Sequence, residues 1–322
     1  MSKSDELNAK IIKDLLKDGR KKFSDIAKEN KVPVDIIAKR FRQMKQEGTI
    51  LGATIQKNYK VFGYSAVGSV SINVDSTRVN EVIEYIQKIP DVFSIYHIFR
   101  RFNIKVITKI RTLNDLDRLK EKIRAHPAVI EIKTDLWTDV RSTKENIEIN
   151  PLVKDQKNKN NENAKILNKE IEIDDIDKKI IEKLAENGRM PFRKLAQEIQ
   201  VSNDTVIRRY EKLKKINAIK VMIQVNPTKL GYQSQAIFKI ILTNHSKLAD
   251  VVEKLSEIPD VVHVIKINGD YDLEVMLWVR SFEHLFEVES KISKIPNAKI
   301  IDIDEREISN ISPKPFTYLS TF

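Results

Sequence analysis

Along the first fifty positions apolar residues return every three or four places, the period of an amphipathic helix. Leu7, Ile11, Leu15 and Leu16 predict a helix over residues 5–17, ended at Gly19, where a positive φ is usual. Shorter helices follow over 22–30 and 34–46 until Gly48 stops the helical run, and residues 49–58 read as a strand or hairpin arm. From Tyr64 the period drops to two. The runs SAVGSVSINV, VFSIYHIF, FNIKVITKI and VIEIKTDLWTDV predict strands. Two amphipathic helices are interleaved with them, closed by Pro90 and Pro127, and Arg100 and Arg101 mark the tight link between the middle strands. Strand, helix, strand, strand, helix, strand is the order of a ferredoxin-like αβ sandwich.

Residues 142–171 break the pattern: they are rich in Asn and Lys, poor in aromatics and without a period. A flexible linker is expected there, because such a segment buries too little apolar surface to order itself. The earlier pattern then returns about 169 residues on. Ile176, Ile180, Ile181 and Leu184 match Leu7, Ile11, Ile12 and Leu15; Gly188-Arg189 matches Gly19-Arg20; Phe192 matches Phe23; IPDV stands at 89–92 and again at 258–261. Repetition this long predicts a duplication that supplies its own pseudo-twofold partner. The expected fold class is α+β, with two winged-type helix-turn-helix units, each followed by a βαββαβ sandwich. The expected segments are helix-turn-helix over 1–48, sandwich over 49–141, linker over 142–171, helix-turn-helix over 172–217, sandwich over 218–310 and a tail over 311–322.

The third helix of each repeat suggests the chemistry. In the later copy Val206, Tyr210 and Leu213 form an apolar stripe facing Leu195, Ala196 and Val201, while Thr205, Arg208, Arg209 and Lys212 lie on the other face. Ser202 is placed to cap this helix, with Asn203 following it. In the earlier copy Ile37, Phe41 and Met44 repeat the stripe, and Ile36, Lys39, Arg40 and Gln43 the outer face. Such a helix fits the major groove, where Arg donates twice to guanine, Lys meets phosphate and Ile meets thymine methyl groups. The plain alternative is a solvated basic face, and its occurrence twice at matching positions favours DNA. Pro33 and Val34 replace Ser202 and Asn203 in the earlier copy, so the two surfaces differ, and an asymmetric operator or one strong and one weak half-site is expected.

Charge fits this reading without carrying it. There are 57 Lys and Arg against 46 Asp and Glu, a formal charge of +11 that suits a polyanion. The chain has no Cys, which excludes disulfides, thiolate metal sites and cysteine nucleophiles. His126, His245, His263 and His284 show no metal-ligand spacing, and no cofactor or metal is implied. The first residues lack the apolar core of a signal peptide, so a cytoplasmic, chromosome-associated protein without a membrane partner is expected.

Each half resembles the Lrp/AsnC family, the feast/famine transcription regulators. The resemblance is carried by IDKKIIEKLAENGRMPFRKLAQEIQVSNDTVIRRYEKLKKINAI, NPTKLGY and INGDYDLEVMLWVRSFEHL, so the later half is the closer match. It implies a sequence-specific double-stranded DNA-binding regulator, self-association through the sandwiches, and a small effector such as an amino acid. The family's effector turn falls on Gly269, Asp270, Tyr271 and Asp272, although Asn268-Gly269-Asp270 is also ordinary hairpin chemistry. Arg100 and Arg101 stand where the earlier half would carry Gly and Asp. Two alternatives remain. Siroheme decarboxylases resemble this family in fold and some act as pairs of related chains; His97, Arg100 and Arg101 would then be the candidates. A non-specific architectural DNA protein would use the same basic residues through phosphate contacts.

Overall fold

A computed structural model of the chain describes residues 3–89, 92–98, 101–143 and 173–307. Linker residues 144–171, Arg100 and the tail at 311–322 lie outside the described residues. The described residues divide into two compact units, with the divisions at Phe62/Gly63 and Gly231/Tyr232.

The first unit holds two sets of three helices: α1 (Lys3–Lys17), α2 (Phe23–Asn30) and α3 (Val34–Gln46), then α6 (Asp175–Glu186), α7 (Phe192–Ile199) and α8 (Asn203–Lys215). Between the second and third helix of each set the chain turns through a residue in the left-handed region, Lys31 at φ 54° and Gln200 at φ 58°. Each set runs into a strand, β1 (Ile50–Lys57) and β6 (Ile219–Val225), and the two strands pair antiparallel, with Ile55 opposite Val221. The expected boundaries at 48/49 and 217/218 had assigned both strands to the sandwiches. They belong with the helices, because each strand finds its hydrogen-bond partner in the other and packs on the opposite set: α6 on β1, α1 on β6.

Contacts across this ribbon are reciprocal. The Gly19 N–H donates to Val221 O and the Gly188 N–H to Ala53 O, each at 2.8 Å. Arg20 donates to Gly188 O at 2.7 Å and to Met190 O, with its guanidinium 4.0 Å above the Phe192 ring. Arg189 donates to Gly19 O at 2.5 Å and lies 4.6 Å above Phe23. Each arginine therefore completes the other set's core with a cation–π contact and a backbone bond.

The second unit contains β2 (Ala66–Val74), α4 (Val79–Gln87), β3 (Val92–His97), β4 (Ile104–Ile110), α5 (Leu113–Arg124) and β5 (Val129–Ser142), then β7 (Ser234–Leu242), α9 (Leu248–Ser256), β8 (Val261–Asn268), β9 (Leu273–Val279), α10 (Phe282–Ser293) and β10 (Ala298–Glu307). The strands form one eight-stranded sheet in the order β10-β7-β9-β8-β5-β2-β4-β3, each half being the ferredoxin-like arrangement. The halves join where β5 pairs antiparallel with β8, Val140 opposite Ile265. β5 runs through Ser142, one residue beyond the expected sandwich, because its end is paired with β8 rather than released into a linker.

On one face of the sheet, β2, β3 and β4 pack on α4 and α5 through Val70, Ile72, Ile95, Ile104 and Val106, and β7 to β9 pack on α9 and α10 through Phe238, Ile240, Val264 and Val275. The opposite face is buried as well, with Ser69, Ile107, Trp137, Ile265 and Met276 each at most 3% exposed. β4 and β9 stand four places apart, roughly 19 Å on a flat sheet at about 4.8 Å per strand. Yet Lys105 Nζ on β4 lies 3.0 Å from Glu274 Oε1 on β9. The sheet therefore curls so that its inner face closes on itself.

Candidate nucleic-acid interface

α8 forms because Val206, Tyr210 and Leu213 bury one stripe against Leu195, Ala196 and Ile199 of α7. Phe192 stacks on Tyr210 with ring centroids 5.0 Å apart, and burial pushes the Tyr210 phenol up to about 12, so it stays neutral. The Ser202 hydroxyl accepts from the Thr205 N–H at 3.1 Å, which satisfies one of the helix's orphan donors. Ser202 and Asn203 are exposed at the start of the helix and Arg208 is exposed a turn later.

Arg209 and Lys212 are placed differently from the expected outer face. Arg209 Nη1 lies 2.5 Å from Asp174 and 3.4 Å from Asp177, and Lys212 Nζ is 3.0 Å from Asp177. The Asp177 side chain is wholly buried, so these cations compensate a charge that would otherwise be stranded. The Asp177 N–H and the Arg209 guanidinium, in that order, hold the Asp174 carboxyl below its usual value. A helical projection puts Arg209 near Arg208 and gives no warning that an acid from α6 lies beside one of them. The signal was the pair Asp174 and Asp177 ahead of an apolar run.

α3 buries Ile37 and Met44, while Phe41 stacks on Phe23 at 5.2 Å. Pro33 stands at the N-cap and offers no side-chain bond. Ile36 is 39% exposed, Lys39 and Gln43 are exposed and Arg40 is half-buried. Gln43 Nε2 donates to Glu47 Oε1 at 2.8 Å. Asn8 of α1 stands at the place that Asp177 holds in α6, so no buried acid there draws cations inward.

The expected effector turn lies in the second unit and is occupied by contacts to neighbouring strands. Lys133 of β5 forms an ion pair with Asp270. The Tyr271 hydroxyl donates to Glu274 Oε1 at 2.7 Å, and burial raises its pKa. Asp272 accepts from the Leu242 N–H at 2.7 Å and pairs with His245. A Cβ on Gly269 would fall 2.3 Å from Asp135 Oδ1, so glycine is what lets the turn sit over β5. In the earlier half Arg101 forms an ion pair with Glu131 across 2.9 Å.

The AsnC-type helix-turn-helix domain profile matches residues 173–214, which contain α6 to α8, and the Lrp/AsnC ligand binding domain profile matches residues 235–303. The HTH-type transcriptional regulator FL11 of Pyrococcus furiosus is 36% identical over 113 residues, which cover 35% of this chain and 74% of that protein. The chain belongs to the Lrp/AsnC family. A second relative, the HTH-type transcriptional regulator LrpA of Pyrococcus horikoshii, is 35% identical over 124 residues, or 38% of this chain and 87% of that protein. The chain is a transcriptional regulator of Lrp/AsnC type. Among solved structures, the siroheme decarboxylase NirDL aligns over 97% of this chain and 94% of its own with a TM-score of 0.64. At 16% identity that likeness establishes a shared fold. No helix among the described residues is long and apolar enough to cross a membrane.

Proposed function

We propose that the chain is two fused Lrp/AsnC repeats that read one asymmetric DNA site with α3 and α8. The observation that carries this reading is the reciprocity of the first unit. Arg20 and Arg189 stand at matching places after the first helix of each set, and each seals the other set's core. Such an arrangement presents two third helices from one chain, as a twofold dimer would from two. Thr205 and Arg208 read bases or backbone in the later copy, with Ser202 and Asn203 at the helix start meeting phosphate. Ile36, Lys39, Arg40 and Gln43 serve the earlier copy, where Ile36 favours thymine methyl groups. Arg209 and Lys212 act mainly by holding α8 to α6, and contribute positive potential rather than direct readout. Each domain ends after its β1 or β6 segment, and the sandwiches provide self-association.

An amino-acid effector at Gly269–Asp272 would have to place its ammonium group where Lys133 now meets Asp270. Calorimetric titration with amino acids, comparing wild type with Asp270→Asn, tests that part of the reading. Heat that the substitution abolishes supports it, and no heat with wild type removes it.

The deciding experiment is selection from random duplexes across a salt series with wild type, Lys39→Ala and Arg208→Ala. A two-part motif is expected, with each substitution relaxing a different part. Tight binding without a motif would make this an architectural protein. Absence of binding at moderate salt would overturn the DNA reading. The fold shared with NirDL over nearly the whole chain favours one second reading, a tetrapyrrole-binding enzyme. Incubation with siroheme separates the two: a stoichiometric, saturable visible band would support the enzyme, and none is expected from the regulator.

A further inference from the structure

We propose that Lys105 and Glu274 form a pairing code that makes an earlier sandwich accept only a later one and reject its own kind. The inference rests on reading the chain as two fused repeats. Lys105 lies on β4 and Glu274 on β9, each the third strand of its sandwich, and the two positions are 169 residues apart. That is the spacing that also relates Gly19 to Gly188 and Ile11 to Ile180. The pair therefore consists of one position meeting its own counterpart across the pseudo-twofold relation of the sandwiches.

The chemistry at such a place is decided by whether the two residues are alike. Lys105 Nζ and Glu274 Oε1 are 3.0 Å apart with side chains only 9% and 0% exposed. Joining two later sandwiches the same way would set one Glu274 against another, and joining two earlier ones would oppose two lysines. Like charges so close in a buried site cannot both stay ionised. The surroundings are also unequal between the halves. Tyr271 donates its hydroxyl to Glu274, while its counterpart in the earlier half, Phe102, has no donor to give. Asp135 stands beside the pair on β5 and accepts from the same Tyr271 hydroxyl at 3.5 Å. The later sandwich carries a cation of its own there, Lys239, opposite Glu274 on β7, but it is held by Asp302 and Asp304 at 3.0 and 2.7 Å, and Lys105 of the earlier sandwich meets the Glu274 carboxylate. Opposed residues of this kind set partner choice more than raw affinity.

The chain has no Cys, so pairing can be read by disulfide trapping in the full-length protein. Asp139 and Lys266 are exposed and opposite each other on β5 and β8, and an Asp139→Cys/Lys266→Cys background should cross-link readily under oxidation. In that background Lys105→Glu and Glu274→Lys should each slow cross-linking by about tenfold or more, because each opposes like charges. The charge-swapped Lys105→Glu/Glu274→Lys protein should recover to within about twofold of the parent. Unchanged cross-linking in both single variants would overturn the proposal. So would a swapped variant that stays as slow as the singles. The two-part DNA motif of the wild-type chain is measured separately, so a failed swap beside an intact motif would remove the code and leave the fused-repeat reading standing.

Discussion

Arg208 and Arg209 are adjacent on α8, yet they are placed differently, because Arg209 meets Asp174 and Asp177 at the start of α6. Arg208 is exposed, whereas Arg209 lies against Asp174 and the buried Asp177. Arg208→Ala should lower the slope of log affinity against log salt by about 1 and leave stability within about 0.5 kcal/mol. Arg209→Ala should do the opposite, lowering the unfolding free energy by about 1–3 kcal/mol while changing the slope little. Denaturant melts and salt titrations of both variants check this, and equal loss of slope in both would place Arg209 on the DNA. The sequence supplied the type and spacing of these side chains. The partner of Arg209 sits 32 residues earlier, and only the packing of α6 on α8 brings them together.

At the scale of elements, β1 and β6 are the strands that the sequence reading assigns to the sandwiches and the structure pairs with each other. Each reads as a short apolar run, and nothing local says whether it extends a sandwich or pairs elsewhere. Their mutual pairing depends on glycine at the two approach points. A Cβ on Gly188 would stand 2.8 Å from Thr54 O and 2.9 Å from Thr54 N, and one on Gly19 would stand 2.6 Å from the Met222 Cα. Those neighbours are backbone and cannot swing aside. Gly188→Ala should therefore destabilise the chain by about 1–3 kcal/mol, as overpacking does. A melt as stable as wild type would mean that the ribbon opens freely. The matching Gly-Arg steps were legible as a repeat in the sequence. That each packs on the other set's strand and aromatic ring was not, because those contacts join residues between 135 and 202 positions apart.

At the scale of the molecule, the curled sheet buries ionisable groups that a flat one would leave in water, and that gives stability a pH dependence. Burial, then the nearby Glu274 charge, raises the Asp135 carboxyl above its ordinary 3.8. The folded state therefore holds a proton that the unfolded state has already released. Stability falls as pH climbs from about 3.8 through the folded value, and the cost is full above it. Asp135→Asn should be more stable than wild type at neutral pH, with the two curves converging as the solution is acidified. Thermal melts between pH 3.5 and 8 would read the difference. A gap that widens toward acid would reverse the sign and place Asp135 among favourably paired carboxylates.

Periodicity determined the elements of this protein almost unaided. Three helices and the βαββαβ order were readable in each half because helices and strands answer to side chains three, four or two places apart. The family was readable too, since its motifs are contiguous runs. Tertiary structure alone decided which strands pair between the two halves, which arginine faces an acid, and that Lys105 meets Glu274. Those outcomes depend on contacts between residues more than thirty, and as many as 175, positions apart. Local preference carries no information about such contacts, and the free energy that selects them is released only when distant surfaces are buried together.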